Sequence, residues 1–178
     1  YRNFAKFVSE DTIELDDGRR LKGKHFIIAT GSHVSKPAIP GIDNPEVWTS
    51  DDVLDLDFLP ESVIVLGGGV VACELAQFLN RVGSKTTQIQ RSPHILKDQA
   101  SDVSEVVEKA FRDEGIDLYT NTSLRRIEKT DTGFSVFFDH EETEVVCQAQ
   151  YVVNALGRIP ATASLGLEAA GVELKPNG

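Results

Sequence analysis

The segment VIVLGGGVVACE, residues 63–74, decides the fold class of this 178-residue chain. Its first four residues form an apolar run of strand length, the three glycines predict a tight turn, and the rest has the pattern of a helix. This order is the context in which the spacing G-x-G-x-x-A indicates a dinucleotide site. Gly67 is predicted to permit the turn, Gly69 to let the backbone approach a pyrophosphate, and Ala72 to let the helix pack closely on the strand.

The predicted helix supplies the other half of this site. The free N–H groups and the positive dipole end of a helix face any phosphate bound at the preceding turn. We expect a strand over Ser62–Leu66 and a helix over Val70–Val82, ended by Gly83. A glycine turn without a ligand stays open as the alternative, because the bare spacing is a weak signal. The residues predicted to contact the dinucleotide here are Gly67, Gly68, Gly69, Val70 and Val71.

The sequence after this helix predicts an α/β fold, in which a Rossmann-like parallel sheet is accompanied by an antiparallel three-stranded meander. Apolar residues at helical spacing favour a second helix over Asp102–Glu114. Short runs bounded by turn residues favour strands. These strands are predicted at Thr86–Gln90, Ile116–Tyr119, Leu124–Lys129, Phe134–Phe138, Thr143–Cys147 and Tyr151–Leu156.

The sequence before the glycine turn predicts more strands and a stiff loop. Alternating residues indicate a strand pair within Phe4–Leu15, and Leu21–Ala29 is predicted as a further strand. Prolines make the loop Pro37–Gly41 stiff and extended. Ser50, followed by two acids, is predicted to cap a short helix.

The bulk composition is that of a soluble globular chain, with 40% hydrophobic and 26% charged residues. A net charge of −10 opposes binding to nucleic acids or anionic membranes. No segment has the length of a membrane span or the pattern of a signal peptide, so the cytoplasm is the expected location. Cys73 and Cys147 lie far apart and predict buried thiols, and no metal site is expected. Because the sequence has no methionine, it is expected to be a piece of a longer polypeptide, with ordinary N-terminal processing as the alternative.

Four motifs occur along the chain in a distinctive order. They are IIATGS at 27–32, PAIPG at 37–41, the glycine fingerprint at 67–74, and NALGRIP at 154–160. In this order they resemble the flavoprotein pyridine nucleotide–disulfide oxidoreductases, which include dihydrolipoamide dehydrogenase, glutathione reductase and mercuric reductase. The segment QRSPHIL, residues 90–96, is most similar to the mercuric-reductase-like branch.

The resemblance implies a nucleotide domain inserted into a split FAD domain. Residues 1–48 would end the first FAD-domain segment, 49–153 would form the NAD(P)-binding domain, and 154–178 would begin the returning FAD-domain segment. The family's first FAD fingerprint and redox-active cysteine pair are expected upstream, and its second FAD segment and dimerisation domain downstream. The chain alone is therefore expected to bind NAD(P)H, to carry no catalytic residue and to be inactive, whereas the parent protein is expected to bind FAD and form a homodimer.

The implied function is that of an oxidoreductase in which hydride passes from NAD(P)H to FAD, then to a redox disulfide and an acceptor. The protein contributes by holding the nicotinamide against the flavin. Disulfide, lipoamide, mercuric ion, quinone and oxygen stay open as acceptors. A non-catalytic module that senses NAD(P)H is the alternative, but such a module would not need two flanking halves of an FAD domain.

The end of the second predicted strand bears on the choice between NADP and NAD. An acid there would bond the ribose 2′-hydroxyl of NAD, whereas arginine accommodates the 2′-phosphate of NADP. This chain has Gln90 followed by Arg91, with Ser92 as a further donor and Lys97 six residues later. NADP(H) is therefore favoured over NAD(H). A glutamine is also compatible with NAD, and the two cations could be ordinary surface charges.

The resemblance nominates further cofactor-binding residues. Glu74 on the first helix would hold the nicotinamide carboxamide, with an ordinary exposed glutamate as the alternative. Backbone near the cofactors is implied at the two outer motifs, which could instead be tight turns at a domain junction. These positions are Thr30, Gly31, Ala155, Leu156 and Gly157.

Overall fold

The computed structural model describes residues 2–176, which form strands and three α-helices. No helix among these residues is long and apolar enough to cross a membrane. The strands are β1 (Ala5–Ser9), β2 (Thr12–Leu15), β3 (Arg20–Lys22), β4 (Ser32–Val34), β5 (Ser62–Leu66), β6 (Lys85–Ile89), β7 (Asp117–Tyr119), β8 (Ser123–Thr130), β9 (Gly133–His140), β10 (Thr143–Ala149), β11 (Tyr151–Asn154) and β12 (Arg158–Pro160). The helices are α1 (Ser50–Leu54), α2 (Val70–Val82) and α3 (Ser101–Asp113), and a 3-10 helix follows at Leu167–Ala170.

The chain divides into two compact units, residues 34–157 and residues 1–33 with 158–178. The larger unit contains a parallel sheet in the order β11-β5-β6-β7 and an antiparallel meander in the order β10-β9-β8. The predicted α/β class, with a parallel sheet and a three-stranded meander, is therefore confirmed. The domain boundaries inferred from the family resemblance stay a prediction.

The core of the larger unit lies on both faces of the parallel sheet. Val63 and Val65 of β5 pack with the apolar faces of α2 and α3, whereas Ile64 and Leu66 pack with the meander. Successive side chains of a strand point to opposite faces, so a strand covered on both sides must be apolar throughout. This explains the uninterrupted apolar run of β5, in which residues 63–66 are completely buried.

The smaller unit is built around an antiparallel sheet in the order β1-β2-β3. The N–H of Phe7 donates to the carbonyl of Leu165 at 2.7 Å, which joins the two chain segments of this unit. Thr30 joins them again, because its hydroxyl donates to the carbonyl of Ala161 at 2.9 Å. Strand β12 pairs with β4.

Most predicted elements agree with the structure to within a residue or two at their ends. Strand β5 and helix α2 have the predicted bounds, and Gly83 ends α2 in the left-handed conformation, with a φ of 114°. Strand β6 and helix α3 each lie one residue earlier than predicted. The meander strands are longer than predicted, because their pairing extends into the turns.

Three predictions about boundaries are wrong. The strand predicted over Leu21–Ala29 ends at Lys22, since no described strand pairs with the following residues and Ile27 is 95% exposed. Helix α1 is capped by Thr49, which forms a capping box with Asp52 and so replaces the predicted Ser50. Strand β11 stops at Asn154 because the Asn154 side-chain oxygen accepts the N–H of Leu156 at 3.2 Å, which turns the chain.

Helices α2 and α3 are joined near their carboxyl ends by one carboxylate. Glu114 accepts hydrogen bonds from Gln77 at 3.1 Å and from two nitrogens of Arg81 at 2.8 and 2.6 Å. The hydrogen bonds from Arg81 are the main cause that lowers the pKa of Glu114 from its ordinary value of 4.5. The lowered pKa means that the folded state holds this carboxylate ionised more firmly than the unfolded chain does.

We predict that Glu114→Gln lowers the melting temperature at pH 7 and that the difference from wild type shrinks below pH 4.5. A lowered folded-state pKa gives stability that is present above the unfolded pKa and is lost as the pH falls through the folded pKa. Thermal unfolding at several pH values measures this difference. Glu105→Gln, on the exposed surface of α3, is the control, and a difference for Glu114→Gln that does not change with pH contradicts the prediction.

Candidate nucleotide-binding site

A cleft of about 590 Å³ opens at the carboxyl ends of strands β5, β6 and β11, within the larger unit. Ligands of open α/β sheets bind at this edge, where the loops that follow the strands converge. The backbone turns after these strands supply much of the wall. The lining residues are Ser35, Pro37, Ala38, Ile39, Gly67, Gly68, Gly69, Val70, Ile89, Gln90, Arg91, Ser92, Leu96, Lys97, Asp98, Gln99, Thr122, Ser123, Leu124, Ala155, Leu156 and Gly157.

The glycine turn after β5 is shaped by close backbone contacts. Gly67 has a φ of 121°, and a Cβ there would lie 2.3 Å from the carbonyl oxygen of Ala155. A Cβ on Gly68 would lie 2.7 Å from the side chain of Gln90. A Cβ on Gly69 would meet nothing within 4 Å. Gly67 is therefore required by the fold, a side chain on Gly68 would displace Gln90, and Gly69 keeps space open beside the cleft.

The N-terminus of α2 begins at this open position. Gly69 is its N-cap residue, no side chain caps the helix, and the first turn contains no acid. The first N–H groups of a helix have no partner within it, and the helix dipole places partial positive charge at this end. An uncapped helix end beside a cleft is suited to bind an anionic group.

A buried polar residue supports the glycine turn from below. Gln88 is completely buried in β6, and its side-chain amide donates to the carbonyl of Gly67 at 3.0 Å. It also lies 3.7 Å from the sulfur of Cys73. Gln88 was not predicted as part of the site, although a polar residue inside a buried strand is a signal for such a role.

Neither cysteine has the environment of a reactive thiolate. Cys73 is buried, Cys147 is half-buried, and both are free thiols. Burial raises the pKa of both thiols above the ordinary value. Residues 2–176 also contain no group of three or more His, Cys, Asp or Glu placed to hold a metal.

The loop after β6 carries two cations into the wall of the cleft. Arg91 and Lys97 are exposed, and neither forms an ion pair with any residue in the described range 2–176. Gln90 is buried, and its side-chain oxygen accepts the N–H of Arg91 at 3.0 Å. Asp98 is the acid among the lining residues, so the wall has two cations and one anion.

The structure brings most of the predicted site residues together at this cleft. Val71 and Glu74 lie outside its lining, on the exposed surface of α2. Thr30 and Gly31 belong to the smaller unit. The predicted residues that do line the cleft are Gly67, Gly68, Gly69, Val70, Gln90, Arg91, Ser92, Lys97, Ala155, Leu156 and Gly157.

Two further segments of the wall were not predicted as part of the site. The loop that begins at Ser35 is held by Asn154, whose side-chain amide donates to the Ser35 carbonyl at 2.9 Å, and by the Ser35 N–H, which donates to Gly157 at 2.9 Å. Thr122 is held by its hydroxyl, which donates to the carbonyl of Gln90 at 3.0 Å. All three hydrogen bonds link residues distant in sequence, which local patterns do not reveal.

Comparison with known proteins agrees with this architecture. A mercuric reductase of Bacillus cereus is 36% identical over 174 residues, which cover 98% of this chain and 27% of that protein. A dihydrolipoyl dehydrogenase of Haloferax volcanii is 33% identical over 183 residues, covering 98% and 38%. The structure of the HOCl-induced flavoprotein disulfide reductase RclA from Escherichia coli matches with a TM-score of 0.82 at 29% identity, covering 99% of this chain and 40% of that chain.

The family resemblance drawn from the four motifs is confirmed. The chain belongs to the pyridine nucleotide-disulphide oxidoreductase family, whose sequence pattern matches residues 1–178. It spans between about a quarter and two-fifths of the length of the relatives described above.

Alanine substitutions at Gly67 and Gly69 distinguish a glycine that the fold requires from one that borders open space. We predict that Gly67→Ala lowers the free energy of unfolding by about 2–4 kcal/mol, because the left-handed φ and the clash with Ala155 both oppose a side chain. Gly69 has an ordinary φ of −78°, and a Cβ there would meet nothing within 4 Å. Gly69→Ala should therefore change the free energy of unfolding by less than about 1 kcal/mol. Its added methyl group should still lower the affinity for NADPH by about tenfold or more.

Urea unfolding measures the two stabilities, and calorimetric titration of the folded variants measures the affinity. Gly18→Ala is the control, because Gly18 also has a left-handed φ of 82° but a Cβ there would meet nothing. It should therefore cost less stability than Gly67→Ala. Equal losses at the two positions would show that the contact with Ala155 is unimportant.

Proposed function

We propose that this chain binds the NAD(P)H coenzyme of a flavin-dependent disulfide oxidoreductase and that it prefers NADPH to NADH. The observation that carries the proposal is the junction of an uncapped helix N-terminus with a glycine turn and two unpaired cations in one cleft. Membership of the pyridine nucleotide-disulphide oxidoreductase family supports the choice of ligand.

The residues of the cleft fit a dinucleotide. The N–H groups at the start of α2 would bind the pyrophosphate, and the absent side chain of Gly69 would let its oxygens approach the backbone. Ala72 is completely buried and allows α2 to pack directly on β5. The turn from Ala155 to Gly157 would lie along the coenzyme at the opposite wall.

The charge distribution supports NADPH over NADH. The chain has a net charge of −10, so a dinucleotide with several phosphate charges is repelled at long range. Arg91 and Lys97 oppose this repulsion locally, and only the 2′-phosphate of NADPH adds an anion that a guanidinium can bind with two hydrogen bonds. Gln90 occupies the position where an acid would repel that phosphate.

The chain's own contribution to the reaction is to bind and orient. Bound NAD(P)H supplies a hydride, which in a flavin-dependent disulfide oxidoreductase is accepted by FAD and used to reduce a disulfide. Glu74 on the exposed face of α2 is proposed to hold the nicotinamide carboxamide. Residues 1–48 and 154–178 are proposed to belong to the FAD domain of a parent homodimer, where the resemblance also implies a role for Thr30 and Gly31.

The coenzyme preference is tested by calorimetric titration of the 178-residue chain with NADPH and NADH. We expect NADPH to bind more tightly. Arg91→Glu should weaken NADPH binding by about tenfold or more, because it removes a charge-assisted contact and adds repulsion, and should change NADH binding by less than about threefold.

Lys85→Glu is the matched control, since it makes the same change in charge at the opposite end of β6 from the loop that carries Arg91. It should leave both affinities within about twofold of wild type. NADH binding more tightly than NADPH, or an unchanged NADPH affinity in Arg91→Glu, overturns the proposed preference.

The flavin part of the proposal is tested on the full-length protein that contains this chain. After purification it should be yellow, and anaerobic addition of NADPH should bleach the flavin absorption. In that protein Gly69→Ala should slow bleaching at low NADPH concentrations without loss of the bound flavin. A colourless full-length protein that still binds NADPH would instead favour a coenzyme-sensing module.

A further inference from the structure

The loop that carries the two cations contains a strained residue. Leu96 lies directly before Lys97 and has a φ of 50°, in the left-handed region that side chains other than glycine seldom adopt. Such a conformation persists only where neighbouring contacts fix it. The N–H of Leu96 donates to the carbonyl of Gly68 at 2.6 Å, which is one such contact.

A buried carboxylate supplies the second contact. Glu108 of α3 has a side chain that is only 8% exposed, and its Oε1 accepts the N–H of Ile95 at 3.1 Å. The same oxygen lies 3.1 Å from Nδ1 of His94. Oε2 of Glu108 lies 3.5 Å from the guanidinium of Arg112, one turn later on the helix. Removing a carboxylate from water is costly, so these partners account for its burial.

The carboxylate thus joins α3 to the middle of the loop. Ile95 is completely buried in the core beneath α2 and α3, so its N–H has no access to water and needs a protein acceptor. With Ile95 held by Glu108 and Leu96 held by Gly68, the chain direction at Lys97 is fixed. Glu108 itself does not line the cleft and so cannot contact a ligand there.

We propose that Glu108 is a positioning residue for coenzyme selectivity, acting through the loop 91–97. Its carboxylate holds the end of this loop that carries Lys97, so that Lys97 is presented to the 2′-phosphate of NADPH beside Arg91, whose own end of the loop is held by Gln90 and Asn121. The glycine cradle at the start of α2 contacts this loop at Gly68 but is also held by Ile89 and Gln88 of β6, so the part of the coenzyme shared by NADPH and NADH depends less on Glu108. This inference rests on the NADPH preference proposed above.

The test measures the ratio of the NADH and NADPH dissociation constants for the 178-residue chain and two variants. Glu108→Asp keeps the charge but withdraws the oxygen from Ile95 by one methylene, and it should lower the NADPH preference by about fivefold or more. Glu108→Gln keeps an acceptor oxygen at full length, and its preference should stay within about twofold of wild type.

Glu114→Asp is the matched control, because it shortens another hydrogen-bonded carboxylate at the end of the same helix, on the side that contacts α2. It should lower the melting temperature without changing the preference. If the effect came from a general loss of stability, the ratio of the NADH and NADPH dissociation constants would fall in both Glu108→Asp and Glu114→Asp. That result overturns the proposal.

Amide hydrogen exchange, measured by NMR, tests the positioning step without a ligand. The Ile95 amide should be protected in wild type and Glu108→Gln and should exchange at least about tenfold faster in Glu108→Asp. Fast exchange of Ile95 in the folded wild type overturns the proposal even if the aspartate variant does not fold.

The outcomes separate this inference from the function on which it rests. A wild-type chain that binds NADPH and NADH equally well overturns the proposed preference and this inference with it. A wild-type preference that persists in folded Glu108→Asp overturns the role of Glu108 alone. A preference that falls in Glu108→Asp but stays near the wild-type value in Glu108→Gln supports both the NADPH preference and the role of Glu108.

Discussion

The close approach of two backbone turns is the constraint on which the cleft depends. Gly67 follows β5, and the carbonyl of Ala155 lies where a side chain on Gly67 would begin. The Gly67 N–H donates to the carbonyl of Ile89 at 2.9 Å, so the ends of β11, β5 and β6 all meet at this residue. Any side chain would force the strand ends apart and move the N-terminus of α2 away from the edge of the sheet. The missing side chain therefore determines where the N-terminus of α2 lies at the edge of the sheet.

The two walls of the cleft are held by contacts of different kinds. The glycine cradle is local, because the strand, turn and helix that form it are consecutive in sequence. The cation loop, residues 91–97, is held by groups from elsewhere in the chain. The carbonyl of Gly68 accepts the N–H of Leu96, and the carboxylate of Glu108 accepts the N–H of Ile95. The hydroxyl of Thr122 donates to the carbonyl of Gln90, directly before the loop. The two walls meet at Gly68, whose carbonyl accepts the N–H of Leu96, so a change at Gly68 affects both walls, whereas a change at Glu108 acts on the cation loop first.

The same division explains how much could be predicted from the sequence. Strand β5 and helix α2 were predicted with their observed bounds, because an apolar run, an N-terminal glycine and the left-handed Gly83 are all local signals. The cradle residues and Arg91 were predicted from the same kind of local signal, and they line the cleft. Gln88, Glu108 and the loop at Ser35 were missed, since their roles depend on partners 13 to 119 residues away. The strand predicted over Leu21–Ala29 failed because apolar residues form a strand only beside a hydrogen-bonding neighbour.

The position of the cations matters more than their presence. Exposed charges interact weakly in water and at physiological salt are screened over about 8 Å, so a mobile arginine contributes little to binding one phosphate. A guanidinium gains from its two parallel hydrogen bonds only when its direction is fixed before the ligand arrives. In this chain the backbone beside Lys97 is fixed at Leu96, whose strained conformation is held by the carbonyl of Gly68 and, through Ile95, by Glu108. Arg91 lies at the other end of the loop, where the side-chain oxygen of Gln90 accepts its N–H. A net charge of −10 adds to this requirement for the proposed coenzyme, because the two cations would have to overcome a field that opposes each of its phosphates.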